Sequence, residues 1–238
     1  MNSSLKNNWA LVTGASRGVG QQIAIGLAQY GVNLVLHSSN IENQKSTVDL
    51  LKKYNINIVN VAGSLESSEE ITQFVTDAEL MSGGIDILYN NAAVMTSATP
   101  LFETLQCDYE KSFQVNLFSM IQICSYFAPK MKSRGFGRII NVSSGIKDTP
   151  ILDAYSVSKA AVDKYTRDLA IELSDTGVLA NMLDPGWCRT DLGGDSAFND
   201  VTSVLPGALI PAMLGNEGAE APKGLLFAAQ DYTGLKLS

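Results

Sequence analysis

The stretch Trp9-Ala-Leu-Val-Thr13, Gly14-Ala-Ser-Arg-Gly18-Val-Gly20, Gln21-Gln-Ile-Ala-Ile-Gly-Leu-Ala-Gln-Tyr30, Gly31, Val32-Asn-Leu-Val-Leu36 decides the fold. A short apolar run, a glycine turn, a segment of helical period and a second apolar run follow without a gap, and Gly31 closes the helix. Strand, turn, helix, strand is a βαβ crossover, which makes the two strands parallel. The glycines let the chain turn tightly and bring its backbone close to a pyrophosphate. The free N–H groups and the dipole at the helix start favour negative charge there. The spacing is Gly-x-x-x-Gly-x-Gly rather than Gly-x-Gly-x-x-Gly, and it is the strand before and the helix after that make it a nucleotide-binding turn.

The alternation continues along the chain. Helical period over Glu42–Tyr54, Ser67–Met81 and Gln106–Arg134 (the last with breaks) separates apolar runs at Ile56–Ala62, Ile85–Tyr89 and Gly137–Val142. Ser67 or Ser68 offers an N-cap with acids just inside. A helix over Ala154–Asp175 leads to a strand at Val178–Leu183. A helix over Glu217–Gln230 and a short strand at Leu235–Leu237 are expected to finish the fold. Strands separated by helices throughout predict an α/β fold. The expected architecture is a doubly wound parallel sheet of Rossmann type with helices on both faces, in one domain spanning 1–238. Residues 1–8 are a polar lead-in. The segment 189–216 breaks the rhythm with four glycines, Pro206 and Pro211, and is expected to be a substrate lid.

Composition bounds the function. The 238 residues carry a formal charge of −7, which argues against nucleic acid and anionic membrane surfaces as partners. Cys107, Cys124 and Cys188 are too widely spaced for a metal site and fit a reduced setting. With no signal-like start and no membrane-length apolar run, a cytoplasmic protein is expected.

One chemical motif stands on the expected helix after residue 153. Tyr155-Ser-Val-Ser-Lys159 puts a phenol and an ammonium four residues apart, on one helical face. A free phenol titrates near pH ~10; a neighbouring cation favours the phenolate and lowers that value. The pair can exchange a proton with a carbonyl or alcohol oxygen. Tyr-x-x-x-Lys alone is a common accident of amphipathic helices, so its meaning depends on what surrounds it.

In a doubly wound sheet, ligands sit at the carboxyl ends of the strands. Gly14–Gly20, Asn90–Ala93, Ser143–Ser144 and Pro185–Gly186 all follow expected strands and should converge on one crevice. Together Thr13-Gly-x-x-x-Gly-x-Gly20, Asn90-Asn-Ala92, Ser144, Tyr155-x-x-x-Lys159 and Pro185-Gly186 resemble the short-chain dehydrogenase/reductase family, in its single-domain branch, over roughly Trp9 to Thr190. Pro185-Gly-Trp-Cys-Arg-Thr190-Asp-Leu is similar to its carbonyl-reductase-like members.

The resemblance implies roles. Tyr155 matches the proton donor or acceptor, Lys159 the residue that lowers its pKa and binds the nicotinamide ribose, and Ser144 the hydroxyl that holds the substrate oxygen. Ser144 is chosen over Ser143 by its distance from Arg138. Asn116 matches an Asn that anchors a water linking the Lys to solvent, and Thr190 a contact to the carboxamide. The implied cofactor contacts are Gly14, Ser16, Arg17, Gly18, Val19, Gly20, Ser38, Ser39, Asn91, Ala92, Tyr155, Lys159, Pro185, Gly186 and Thr190. NAD-preferring members carry an acid where this chain has Ser38, with Ser39 next. Arg17 stands where NADP-dependent members often have a cation. An uncharged pocket with one Arg favours a phosphate, so NADP(H) is the expected cofactor, with NAD(H) as the alternative. His37, the only histidine, is expected to line the adenine end. Cys188 is expected to be an inert thiol near the pocket.

Three departures stand out: Ala93 replaces a usual Gly, Ser64 a common Asp, and the tail lacks the frequent glycine-rich ending. The activity implied is carbonyl–alcohol interconversion by NADP(H)-dependent hydride transfer on a small substrate, in a homodimer or homotetramer paired through 106–134 and 154–175. Apolar walls are expected from Met95, Trp187 and 201–214. A 3-oxoacyl-[acyl-carrier-protein] reductase ranks second, because an acidic chain docks poorly to an acidic carrier. A non-catalytic dinucleotide-binding regulator ranks third, since both Tyr155 and Lys159 are present.

Overall fold

The computed structural model describes residues 5–96, 98–146, 150–215 and 222–236. The opening stretch folds as its pattern requires. Strand β1 (Trp9–Thr13), helix α1 (Gly18–Gln29) and strand β2 (Asn33–Ser38) form a βαβ unit, with β1 and β2 parallel from Trp9 opposite Asn33 to Thr13 opposite His37. Helix α2 (Lys45–Leu51), strand β3 (Ile58–Ala62), helix α3 (Ser68–Ser82) and strand β4 (Ile87–Asn90) follow. Next come helix α4 (Gln106–Phe113), helix α5 (Ser119–Arg134), strand β5 (Gly137–Val142), helix α6 (Asp153–Glu172), strand β6 (Val178–Asp184) and strand β7 (Leu226–Ala228).

The seven strands form one parallel sheet in the order β3-β2-β1-β4-β5-β6-β7. The chain winds outward from β1 to β3, then returns to lay β4 on the other side of β1. The crevice between the carboxyl ends of β1 and β4 is therefore the topological switch point at which such sheets bind ligands. Both faces are covered, so the strands read as apolar runs rather than alternations. Ala10, Val12, Leu34 and Leu36 pack in one layer with Ile23 and Leu27 of α1. Leu11, Val35, Leu88 and Ile139 pack in the other with Phe74 of α3, Phe127 of α5 and Val162 of α6.

Local chemistry sets several boundaries. Ser67 caps α3 by accepting the Glu70 N–H at 3.2 Å, and Gly83 ends it at φ +77°. The long helical stretch expected over 106–134 is divided by a π-helical turn at Gln114–Phe118, which carries Asn116. Such turns widen a helix locally and are frequent at functional sites.

Two expectations about the C-terminal part are corrected. Of the helix expected over Glu217–Gln230, residues 217–221 lie outside the described ones. The rest is not helical: Leu226–Ala228 is β7, paired with Met182–Asp184, and Ala229–Tyr232 is a short 3-10 turn. Pro222 removes a backbone donor and Gly224 has φ +68°, so a helix cannot run through this part. The strand expected at Leu235–Leu237 has its first two residues outside any strand, and Leu237 lies beyond the described residues. The sheet's last edge is β7 instead.

The segment 189–216 also divides. Residues 187–203 are mostly exposed, but Val204 and Ala208–Met213 are buried. Leu205 and Leu209 press on Gly26 of α1, where a Cβ would stand 2.7 Å from the Leu205 side chain. The Tyr89 hydroxyl donates to the Ala208 carbonyl at 2.8 Å, and the fully buried Arg138 guanidinium donates to the Leu214 carbonyl at 2.7 and 3.0 Å. This second half is packed into the core, and 204–213 is not among the residues that line the cleft described below.

Candidate active site

The glycine turn shapes one side of the crevice. Helix α1 begins at Gly18 after Arg17, which gives no side-chain cap, and no acid lies in its first turn. Its first N–H groups are therefore left for a ligand. Gly14 and Gly18 have φ of +65° and +60°, a region L side chains rarely enter. Gly20 is needed for space: a Cβ there would sit 2.3 Å from the Gly14 carbonyl oxygen. Thr13 and Asn91 bind the turn to the end of β4. The Asn91 and Ala92 N–H groups donate to Thr13 Oγ1 at 2.9 and 3.1 Å, and Asn91 Nδ2 donates to the Thr13 carbonyl at 2.8 Å. Ser16 and Val19 also line the crevice, a cleft of about 580 Å³.

One end of the cleft is formed by His37, Ser38, Ser39 and Arg17. His37 is buried, with Nε2 3.0 Å from the Gly63 carbonyl and its ring 4.1 Å from that of Phe74. Burial pushes its pKa down to about 4, so the ring is neutral. The Ser38 hydroxyl donates to the Asn40 carbonyl at 2.7 Å and accepts from Gln44 Nε2 at 3.0 Å, while Ser39 is exposed. Arg17 Nε is paired with Asp191 Oδ2 at 2.7 Å, across the mouth of the cleft.

Tyr155 and Lys159 stand at the other end, both buried, on the first turns of α6. The Lys159 ammonium is 5.8 Å from the Tyr155 ring centre and donates to the Val142 carbonyl at 2.7 Å. Ser144, half-buried after β5, hydrogen-bonds the Tyr155 phenol. Ser143 is engaged elsewhere: its hydroxyl donates to the Asp163 carboxylate. Of the two serines, Ser144 is thus the one facing the phenol. Asn116 sits behind the site. Its side chain accepts from the Val94 N–H at 2.8 Å and donates to the Val94 carbonyl at 2.9 Å and to Ser158 Oγ at 3.0 Å. The Ser158 hydroxyl in turn donates to the Tyr155 carbonyl at 2.6 Å. Asn116 therefore ties the backbone beyond β4 to the helix that carries Tyr155.

The electrostatics depart from the simple expectation that Lys159 lowers the phenol pKa. Burial raises Tyr155 to about 12; Ser144 opposes this and the Asp184 carboxylate adds to it. Burial lowers Lys159 to about 8, with Asp163 holding it up. Desolvation acts on both groups more strongly than their mutual influence. The phenol is accordingly held protonated at neutral pH, in the state that donates a proton.

Pro185 and Thr190 line the cleft beyond the end of β6, with Gly186 between them outside the lining. The Gly186 N–H donates to Asp184 Oδ1 at 2.9 Å with φ +75°, and the Gly193 N–H donates to Thr190 Oγ1 at 3.0 Å. Trp187 and Phe198 form an exposed edge-on pair 5.1 Å apart beside this end. The Cys188 thiol is buried and pushed up to about 11 by desolvation, so it is a poor nucleophile. Among the described residues no cluster of three metal-binding side chains exists, and no helix is long and apolar enough to cross a membrane.

Asp163 and Asp184 shape the site without having been singled out by sequence. Asp163 had a signal, since it lies four residues beyond Lys159 on the same helical face. Asp184 had none, because what it touches is set by a loop meeting the sheet.

Fold and cleft together define an α/β dinucleotide-binding protein with a Tyr–Lys–Ser centre at the switch point. The residues fit a dinucleotide: an uncapped helix start for the pyrophosphate, glycines where a side chain would fill the cradle, and one cleft lined both by Ser38 and Ser39 and by Tyr155 and Lys159. Comparison with known proteins gives the family. The sequence profile of the short chain dehydrogenase family matches residues 8–199, and the chain belongs to that family of NAD(P)(H)-binding oxidoreductases. A short-chain type dehydrogenase/reductase of Picea abies is 36% identical over 194 residues, covering 77% of this chain and 71% of that protein. A 3-oxoacyl (acyl-carrier-protein) reductase of Agrobacterium tumefaciens C58, solved with NADP bound, shares the fold at TM-score 0.86 and 24% identity, over 94% of this chain and 93% of that one. An NAD+-bound xylitol dehydrogenase does so at TM-score 0.83 and 20% identity, over 95% and 98%.

Proposed function

We propose that the protein interconverts a carbonyl and an alcohol on a small substrate, using NADP(H) in preference to NAD(H), within one domain. The observation that carries this reading is the pairing of Tyr155 and Lys159 at one end of the cleft, with Ser144 hydrogen-bonded to the phenol. A bound nicotinamide supplies the hydride. Tyr155 donates its proton to the substrate oxygen in reduction and takes one back in oxidation. Ser144 holds that oxygen beside the phenol. Lys159 binds the ribose and, as the nearest cation, favours the phenolate left after proton transfer. Asn116 positions the Tyr155 helix. Ser16, Val19 and the glycine turn receive the pyrophosphate, with Ala92, Pro185, Gly186 and Thr190 around the nicotinamide.

The preference for NADP(H) is supported by the absence of an acid at Ser38 and Ser39 and by Arg17 on the rim. Trp187, Phe198 and Met95 offer an apolar substrate surface, and the exposed stretch 187–203 serves as the lid. A homodimer or homotetramer is supported by exposed apolar side chains on and around α4–α6, among them Leu105, Phe118, Val157 and Ile171. A cytoplasmic setting agrees with the three free thiols.

The test is oxidation of NADPH and NADH against ketones, aldehydes, diketones, quinones and 3-oxoacyl thioesters, with Tyr155→Phe alongside. Turnover in the wild-type chain is expected to fall by about 10²–10⁴-fold in Tyr155→Phe while NADPH still binds. Turnover that survives in Tyr155→Phe would remove Tyr155 as the acid. Preference for the thioesters would move the substrate to acyl carriers, and cofactor binding with no turnover would point to a regulator.

A further inference from the structure

Arg17 and Asp191 stand on opposite rims of the cleft. Arg17 is the last residue of the glycine turn before α1, and Asp191 follows Thr190 in the stretch after β6. Their side chains meet at 2.7 Å between Nε and Oδ2, with 68% and 73% of each exposed. The two segments also touch next to the pair: a Cβ on Gly18 would lie 3.4 Å from Thr190 Cγ2. The contact is thus built into the closure of the rim.

Among the described residues lining the cleft, the cationic side chains are Arg17 and Lys159. Lys159 is buried at the catalytic end, donating to the Val142 carbonyl. Of the two, Arg17 is the one on the rim, and its Nε is paired with a carboxylate. A dinucleotide with a 2′-phosphate, carrying about two charges more than its unphosphorylated counterpart, would compete with Asp191 for the Arg17 guanidinium. A dinucleotide with a bare 2′-hydroxyl leaves the pair as it is.

We infer that Asp191 is a cofactor-specificity residue: by holding the Arg17 guanidinium it reduces the advantage of a 2′-phosphorylated dinucleotide over an unphosphorylated one. This rests on the reading of the cleft as a nicotinamide dinucleotide site. It makes the cofactor choice a competition between two anions for one exposed guanidinium. An exposed pair of this kind moves an equilibrium by about two- to fivefold, and less in high salt.

The experiment is nicotinamide fluorescence titration with NADPH and NADH at low ionic strength, on the wild-type chain, Asp191→Asn, Arg17→Gln and the double variant. Asp191→Asn is expected to tighten NADPH by about two- to fivefold relative to NADH. In the Arg17→Gln background the same substitution is expected to leave that ratio unchanged. An unchanged ratio in Asp191→Asn alone would overturn the proposal while leaving the dinucleotide reading intact. A ratio that changes equally without Arg17 would overturn it too, since Asp191 would then act by repelling the phosphate directly. Failure of the wild-type chain to bind either cofactor would remove the reading and the proposal together.

Discussion

The two ends of the cleft are built of opposite materials. At the catalytic end Tyr155 and Lys159 are 7% and 4% exposed, braced by Ser144, Val142, Ser158 and Asn116. At the other end His37 and Ser38 are buried, but Ser39, Arg17 and Asp191 on the rim stand in solvent. Water leaves an exposed ion pair worth about 1 kcal/mol or less. Out of water, burial is the largest cause that carries the phenol to about 12 and the ammonium to about 8. The contrast teaches where the protein is intolerant and where it can be retuned. On the proposed reading its chemistry rests on buried groups, and its cofactor choice on a weak contact at the rim.

The largest effect outside Tyr155 itself is expected where the two ends join. Gly20→Ala places a Cβ 2.3 Å from the Gly14 carbonyl and 2.5 Å from Asn91 Nδ2. Relieving that overlap is expected to cost about 1–3 kcal/mol of stability and at least about tenfold in dinucleotide affinity. Thermal denaturation and fluorescence titration read both. Wild-type values for each would show a turn that can shift, and would weaken the contrast between a rigid interior and an adjustable rim.

The next effect probes the buried charge. Lys159, depressed to about 8, is protonated below that pH and neutral above it, so NADPH affinity is expected to fall as pH rises through about 8. Asp163 raises this pKa, and Asp163→Asn is expected to move the fall to lower pH. Titrations across the window read the midpoint. An unmoved midpoint would mean that Asp163 acts only through Ser143.

The smallest concerns Asp184, whose charge raises Tyr155 while its Oδ1 receives the Gly186 N–H. Asp184→Asn keeps that acceptor and removes the charge. The phenol pKa should fall, which enlarges the phenolate fraction that oxidation needs. Alcohol oxidation near pH 9 is expected to rise a few-fold, with carbonyl reduction at pH 7 little changed. A pH–rate profile identical to wild type would place Asp184 outside the electrostatics of the site.

The strands and helices through Leu183 were legible because each carries its own periodicity, and helix boundaries there fall close to where the pattern ends. The part after Pro185 was less so. Val204–Met213 reads as an irregular glycine- and proline-marked loop, yet it is buried because Tyr89, Arg138, α1 and Ala229 supply its partners from elsewhere in the chain. β7 is three residues long and is a strand only because β6 offers it an edge. Neither fact has a local signal. Tyr155 and Lys159 were readable as a pair because four residues make one helical turn, but the direction of the Tyr155 pKa was not, since burial reversed what the neighbouring cation alone implies.

By itself the sequence determined the order of strands and helices, the parallel sheet that order compels, the glycine turn at its centre and the Tyr–Lys face of one helix. These depend on periodicity and backbone freedom, which are properties of neighbours along the chain. Only the tertiary structure decided that Asp163 and Asp184 bear on the phenol and the ammonium, and that Arg17 is held by Asp191. Those are properties of distance and solvent exclusion, and they exist only once residues far apart in the chain have been brought within a few ångströms of each other.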